Sequence, residues 1–300
     1  MAHTPVLLEK VIGYLDPKPE KFLIDGTMDG GGHARAILEK LKGKGIFLGI
    51  DWDPRMIEQA KIRITNYVSR VTNNLILVHG NYADIPEILK ERKLPKADGI
   101  LLDLGFSSEQ LENSGRGFSF DPSADGEPLM MTYDDRRAPV SALLRGMDER
   151  ELADIIYKFG GEKFARRIAK AIVLQERKEA IRTTGELCEV IRRSIPGNYG
   201  MRRLNPATRT FQALRIYAND ELGNLEKFLS RFPEMLRSGG RAVVISFHSL
   251  EDRLVKNYFR KFEKEEKIKI LTKKPVTASE EEKRKNPRSR SAKLRAIIRC

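Results

Sequence analysis

Residues 22–33 read FLIDGTMDGGGH, an apolar run that ends on Asp25 and passes straight into a glycine-rich turn. Phe22 to Thr27 is a short run, apolar up to Asp25, that reads as a strand buried on both faces, as strands of parallel sheets do. The turn from Asp25 to His33 holds Gly26, Gly30, Gly31 and Gly32. Glycines let a backbone turn sharply and approach a ligand closely, and N–H groups at the start of the next helix face its polar atoms. A nucleotide-like ligand is expected. The spacing is neither that of a P-loop nor a clean G-x-G-x-x-G, which disfavours an ATPase and a dinucleotide enzyme.

Outward from this stretch the pattern repeats. Ile46–Asp51 (IFLGID), Asn74–Gly80 (NLILVHG) and Ala97–Gly105 (ADGILLDLG) are short apolar runs ending in aspartate or glycine. Helical patterns at His33–Lys42 and Pro54–Val68 lie between them, the second with Asp53 as N-cap. Alternating strands and helices predict a doubly wound α/β fold. After Gly105 the alternation stops. A glycine- and serine-rich stretch, Ser107–Gly126, precedes helical patterns at Val140–Phe159, Phe164–Glu179 and Thr184–Ser194. A helix over Leu222–Arg237 stops at Ser238-Gly239-Gly240, strand character returns at Ala242–Phe247, and Ile268–Thr272 with Lys293–Arg299 reads as a closing antiparallel pair. The parse is a discontinuous Rossmann-like domain, residues 1–105 and 217–300, with a mainly helical insertion at 106–216.

The strand ends carry the candidate chemistry. Asp51 stands where such folds place an acid on ribose hydroxyls. Tyr82 either packs an adenine face or closes the core. Asp103 puts a carboxylate at the crevice edge of the fourth strand, the reactive position. Ser246–Arg253 follows the next strand. There His248 either meets the target or accepts a proton, and Ser249 with Asp252 reads as a capping box.

Composition bounds the partners. Fifty-five Lys and Arg against 42 Asp and Glu give a net charge of +13, which suits a polyanion, nucleic acid first. Arg192, Arg193, Arg202, Arg203, Arg209 and Arg215 occur between 192 and 217 without an acid, interleaved with Tyr199, Phe211 and Tyr217. Such a segment clamps phosphates and stacks bases; Arg288 and Arg290 are further candidates. Two cysteines and four scattered histidines predict no metal site. No apolar run approaches the roughly 18–20 residues of a membrane span, and no secretory signal is evident. Cytoplasmic residence and no membrane partner are expected.

HTPVLLEKV near the N-terminus, DGTMDGGGHA, LLDLGFSSEQL, GRGFSF, NPATRTFQALRIYAND, VISFHSLEDRLVK and NPRSRSAKLR occur in order from His3 to Arg295. Together they resemble the MraW/RsmH-type 16S rRNA (cytosine-N4)-methyltransferases. The resemblance implies a class I methyltransferase sheet with a helical insert, S-adenosylmethionine (SAM) as donor, and a decoding-centre cytidine of the small ribosomal subunit as target. It puts the SAM contacts on Gly31, Gly32, His33, Asp51, Tyr82, Asp103 and Gln110. The run DGEPLMMTYD, residues 125–134, departs from the family with an extra Glu127 and with Met130 and Thr132 in place of a charged pair.

From the residues alone the acceptor atom stays open. A C5-methylating enzyme adds a cysteine to the pyrimidine, whereas Cys188 falls in the insertion and Cys300 is the last residue. Nitrogen or oxygen is favoured, and N4 rests on the resemblance. The N4 lone pair is delocalised into the ring, so acceptors that hold the amino protons are wanted; Asp103 and nearby carbonyls are the candidates. A non-catalytic RNA-binding assembly factor and a methyltransferase acting on another RNA or a small amine are the competing readings.

Overall fold

The strands β1 (Phe22–Asp25), β2 (Ile46–Asp51), β3 (Leu75–His79), β4 (Ala97–Asp103), β5 (Leu236–Ser246), β6 (Ile268–Ile270) and β7 (Lys293–Arg299) form one sheet, ordered β3-β2-β1-β4-β5-β7-β6. They are seen in a computed structural model that describes residues 5–67, 74–105, 115–197, 205 and 207–300. β1 to β5 pair in parallel, and β7 runs antiparallel to both β5 and β6. From β1 the chain builds outward through β2 and β3, then returns to place β4 on the other side of β1. The order therefore reverses between β1 and β4, the point at which ligands bind open α/β sheets.

Period-two alternation sends neighbouring residues to opposite layers. Ile24, Leu48, Ile50, Ile100 and Leu102 face Phe228, Phe232 and Phe259, while Leu23, Phe47, Leu101 and Val243 face Val11, Leu15, Ile37 and Ile64. The helices Leu8–Leu15, Gly32–Leu41, Pro54–Tyr67, Glu221–Met235 and Ser249–Lys264 supply those partners. The central strands β1, β2 and β4 are buried on both faces, as their apolar runs require, while the edge strand β3 is half-buried.

One boundary differs from the sequence expectation. The helix ends at Met235, and β5 begins at Leu236 rather than after Gly240. Leu236 pairs with Ala97 and Arg241 with Gly99, so Arg237–Gly240 bulges from the ladder. Gly239, at φ 76°, takes the left-handed turn that this bulge demands. The Ser-Gly-Gly stretch interrupts a strand and does not end a helix.

The chain divides into two compact units, Met1–Phe106 with Leu222–Cys300, and Ser107–Glu221. The second is helical: Val140–Gly146, Glu149–Gly160, Ala165–Lys178, Thr184–Ser194 and Ala207–Asn219. The expected single helix over Val140–Phe159 is two, because the Asp148 side chain accepts the Glu151 N–H at 2.8 Å and starts a new one. The unit also runs past residue 216. Asn219 donates to the Met131 carbonyl at 2.7 Å and accepts the Tyr133 N–H at 3.0 Å, and Arg215 pairs with Glu221 at 2.8 Å. The divergent segment is architectural. Glu127 accepts the Gly117 N–H at 2.8 Å, and Thr132 is fully buried.

The two ends of the chain meet in the first unit. Leu7 sits before the helix Leu8–Leu15 in a left-handed conformation (φ 55°) without a side-chain cap, and its N–H donates to Glu282 Oε1 at 2.7 Å. Glu282 thus caps a helix 275 residues away in sequence. Glu282→Ala leaves a buried N–H without its acceptor and is expected to destabilise by about 1–3 kcal/mol, read as a lowered Tm. Glu282→Gln, which keeps an acceptor oxygen, should recover most of the loss, and an unchanged Tm in the alanine variant would refute the capping role.

Candidate active site

The pairing of β1 with β4 sets Asp25 beside Leu101, so Asp25 and Asp103 end adjacent strands at the reversal point. Thr27 stitches them together. Its N–H donates to Asp25 Oδ1 at 3.1 Å, and its Oγ1 accepts the Asp103 N–H at 2.7 Å. Asp51, ending β2, accepts the Asp53 N–H on Oδ1 (2.9 Å) and the Asp29 N–H on Oδ2 (3.1 Å). Asp53 has the helix-cap role its position suggested: its Oδ1 accepts the Arg55 N–H at 3.0 Å, and Arg55 closes an ion pair with it at 2.9 Å.

Four carboxylates are therefore gathered at one edge of the sheet. Burial pushes Asp103 and Asp51 up to about 7, from an ordinary value of 3.8, and repulsion from Glu251 adds to the shift of Asp103. Burial likewise raises Asp25 well above the carboxylate range, reinforced by Asp103 and Asp51. Asp29 is raised by burial and by the other three, with Arg288 opposing. Asp25 Oδ2 and Asp103 Oδ1 are buried without a hydrogen-bond partner among the described residues. Clustered acids with unmet oxygens call for a cation.

The glycine loop supplies the complementary charge. Gly30 and Gly31 have φ of 73° and 88°, and the helix Gly32–Leu41 begins on Gly31 with no side-chain cap. Its first N–H groups and the positive end of its dipole suit a carboxylate. The next side chain, His33, is buried between Asp103 and the N-terminal segment, with Nδ1 3.6 Å from Asp103 Oδ2 and Nε2 2.9 Å from the Val6 carbonyl. A carbonyl only accepts, so Nε2 carries a proton and Nδ1 faces the carboxylate.

Tyr82 is a core residue, 5 % exposed and edge-on to Phe228 at 6.0 Å. A second aromatic neighbour is Trp52, at 5.9 Å, which is half-exposed. His248, not Ser249, is the N-cap of Ser249–Lys264, and Glu251, not Asp252, is the reciprocal partner. The Glu251 carboxylate accepts the Phe247 and His248 N–H groups, while His248 Nδ1 faces the Glu251 N–H at 3.4 Å. The capping box lies one residue earlier than expected because Asp252 is bound to Arg295 at 2.7 Å.

The arginines separate. Arg192 and Arg193 are exposed but paired with Glu189, and Arg209 lies 3.7 Å from buried Glu162. Arg215 is buried against Glu221. The acid-free reading of 192–217 held only along the sequence: the partners come from outside that stretch or from just beyond its end. Arg290 is exposed, whereas Arg288 is half-buried and acts on Asp29. Gln110, Arg202, Arg203 and Tyr199 lie outside the described residues. Sequence reasoning passed over Asp25, Thr27, Asp29, Trp52 and Glu251. Asp25 and Trp52 had a signal, as the last residue of a strand and the lone tryptophan after another; Glu251 had none.

Fold and site together define a Rossmann-like methyltransferase that uses S-adenosylmethionine. The residues present fit this cofactor, whose sulfonium and ammonium answer the acidic cluster and whose carboxylate answers the uncapped helix. A family model described as the MraW methylase family matches residues 1–300. The chain is 46% identical over 298 residues to the ribosomal RNA small subunit methyltransferase H of Thermotoga neapolitana, covering 98% of this chain and 95% of the relative. It is 44% identical over 311 residues to the protein of the same name from Heliobacterium modesticaldum, covering 98% and 97%. Among solved structures it is similar to TrmN from Thermus thermophilus, with a TM-score of 0.45 and 10% identity over 98% of this chain and 48% of that one. The chain belongs to the MraW methylase family.

The raised carboxyl groups make ligand binding proton-linked. Between pH 3.8 and about 7 the folded protein holds protons on Asp51 and Asp103 that the unfolded chain has released. Stability without ligand therefore falls as pH rises through that window and levels off above it. A bound cation favours the ionised acids, so SAM affinity should rise with pH toward about 7 with release of protons. Calorimetry in buffers of different ionisation heat checks this, and an affinity that is flat across neutral pH with no proton release would refute it.

Proposed function

We propose that this protein transfers a methyl group from SAM to N4 of a cytidine in the decoding centre of 16S rRNA, in the small ribosomal subunit. The observation that carries the reading is the unmet Oδ1 of Asp103 at the reversal point, beside acids suited to a cationic donor. SAM supplies a methyl group on a sulfonium, so positioning is the main task of the chain. Gly31, Gly32 and His33 hold the methionine end, Asp51 the ribose, and Trp52 backed by Tyr82 the adenine; Gln110 joins this set by family resemblance.

Asp103 Oδ1 accepts the N4 amino proton, which turns the nitrogen lone pair toward the donor. As the N4–H bond breaks, the proton passes to that oxygen. A carboxylate raised to about 7 is matched to this work near neutral pH. His33 lies against Oδ2, with Nδ1 3.6 Å away. His248 contacts the base, and its Nδ1, turned to a backbone N–H, leaves proton transfer to Asp103.

The helical unit Ser107–Glu221 engages the rRNA around a cytidine drawn out of its helix or not yet buried. Among the described residues no helix is long and apolar enough to cross a membrane; with rRNA as substrate, the cytoplasm is the place of action. The test is methyl transfer from labelled SAM to small subunits lacking base methylation, followed by nucleoside mass spectrometry. Label should appear in N4-methylcytidine, and Asp103→Asn should lower turnover by about 100-fold or more while SAM still binds. Label in a different nucleoside would overturn the assignment, and full activity of the variant would remove Asp103 from the chemistry.

A further inference from the structure

Of the arginines that the sequence marks most strongly for RNA, the four among the described residues are engaged by carboxylates: Arg192 and Arg193 with Glu189, Arg209 with Glu162, Arg215 with Glu221. A different element of the same unit has the opposite character. Helix Ala165–Lys178 carries Arg166, Arg167, Lys170, Arg177 and Lys178, and Lys163 stands just before it. All six are exposed, and among the described residues none makes an ion pair.

These residues share one face. At about 100° per residue, positions 163, 166, 167, 170, 177 and 178 fall within an arc of roughly 120°. Ala165, Ile168, Ala169 and Ile172 lie opposite and are buried. From Arg166 to Lys178 the stripe is roughly 18 Å long, at 1.5 Å per residue. The helix has one acid, Glu176, and it does not answer the cations: its Oε1 accepts the Ile181 N–H at 2.9 Å and its Oε2 is buried. Five cations against one acid leave the helix at +4.

In its N-terminal half this arrangement works against the helix itself. The first turn has no acidic residue, and Arg166 and Arg167 stand at the positive end of the dipole. Arg166 and Lys170 are like charges four residues apart, which repel. A polyanion laid along the stripe relieves both. Leu174, 45 % exposed in the middle of the face, adds apolar surface beside guanidinium groups that can stack on bases. Arg167 already lies over the Phe164 ring at 5.7 Å.

We propose that the exposed face of helix Ala165–Lys178 is the rRNA-docking surface of the helical unit, binding the sugar-phosphate backbone through Lys163, Arg166, Arg167, Lys170, Arg177 and Lys178. The assignment rests on the rRNA reading above and makes the ion-paired arginines of 192–215 secondary. Binding to unmethylated small ribosomal subunits, measured against salt concentration, tests it. Loss of three phosphate contacts in Arg166→Ala/Arg167→Ala/Lys170→Ala should reduce the slope of log affinity against log salt by about 2. KM for the subunit should rise about tenfold or more, with SAM affinity and saturated kcat retained. Lys40→Ala/Lys42→Ala/Lys44→Ala removes the same charge from exposed positions of the other unit and should keep the wild-type slope. Equal slopes in wild type and the helix variant, or equal losses in both variants, would overturn the docking surface while leaving the enzyme reading intact. A wild-type protein that binds SAM but neither binds nor methylates these subunits would overturn the rRNA reading and this surface with it.

Discussion

Negative charge buried at the carboxyl edge of the sheet is the constraint on which the site depends. Asp25, Asp51 and Asp103 end three neighbouring strands, and Asp29 lies in the loop between the first and the helix that follows. An isolated ionised carboxylate in such a place is strongly disfavoured, and four near one another more so. The chain limits the conflict in two ways: backbone N–H groups of Thr27, Asp29 and Asp53 stabilise the ionised forms, and protons remain on the acids to higher pH. What remains is a demand for positive charge, and a sulfonium cofactor meets it. A dinucleotide pyrophosphate would bring further negative charge to the same edge. The acids thus disfavour that ligand class, as the glycine spacing does.

Around this edge the backbone is held by contacts distant in sequence. His33 lies between Asp103 and the Val6 carbonyl, and the next residue, Leu7, gives its N–H to Glu282. Asp103, at the end of β4, is therefore connected through one imidazole to the N-terminal segment and through that segment to the helix Glu280–Lys285. Arg288, a few residues further on, moderates the charge on Asp29. Contacts from both ends of the chain thus reach the acidic edge whose carboxylates the central strands supply.

The basic residues illustrate how little a count along the sequence says about available charge. A net charge of +13 is shared among many side chains, and of the arginines in the conspicuous segment 192–217 the four among the described residues pair with Glu189, Glu162 and Glu221. Arg215 is a packing element, with its guanidinium and partner both mostly buried. A continuous stripe of uncompensated cations lies instead on a helix whose sequence, ARRIAKAIVLQERK, looks like an ordinary amphipathic segment. Its polar face differs from an ordinary one only in lacking acids, and that difference becomes visible once the neighbours of each side chain are known.

The sheet was legible from the sequence because strands buried on both faces must be apolar throughout and must end where the backbone meets solvent or ligand. That pairing of run and terminus located β1 to β4 to within a few residues, and with them Asp51 and Asp103. The start of β5 was misread because glycines that usually stop a helix here open a bulge, and only pairing with Ala97 and Gly99 separates the two cases. Local chemistry likewise identified Asp53 as a cap but put the later capping box one residue late, since Arg295 claims Asp252. Which acids cluster, which arginines are neutralised and which carboxylate oxygen is left unmet are properties of pairs far apart in sequence. Periodicity and spacing constrain each residue's own backbone and face, whereas charge compensation is set by whatever folding brings within a few ångströms, and only the tertiary structure decides that.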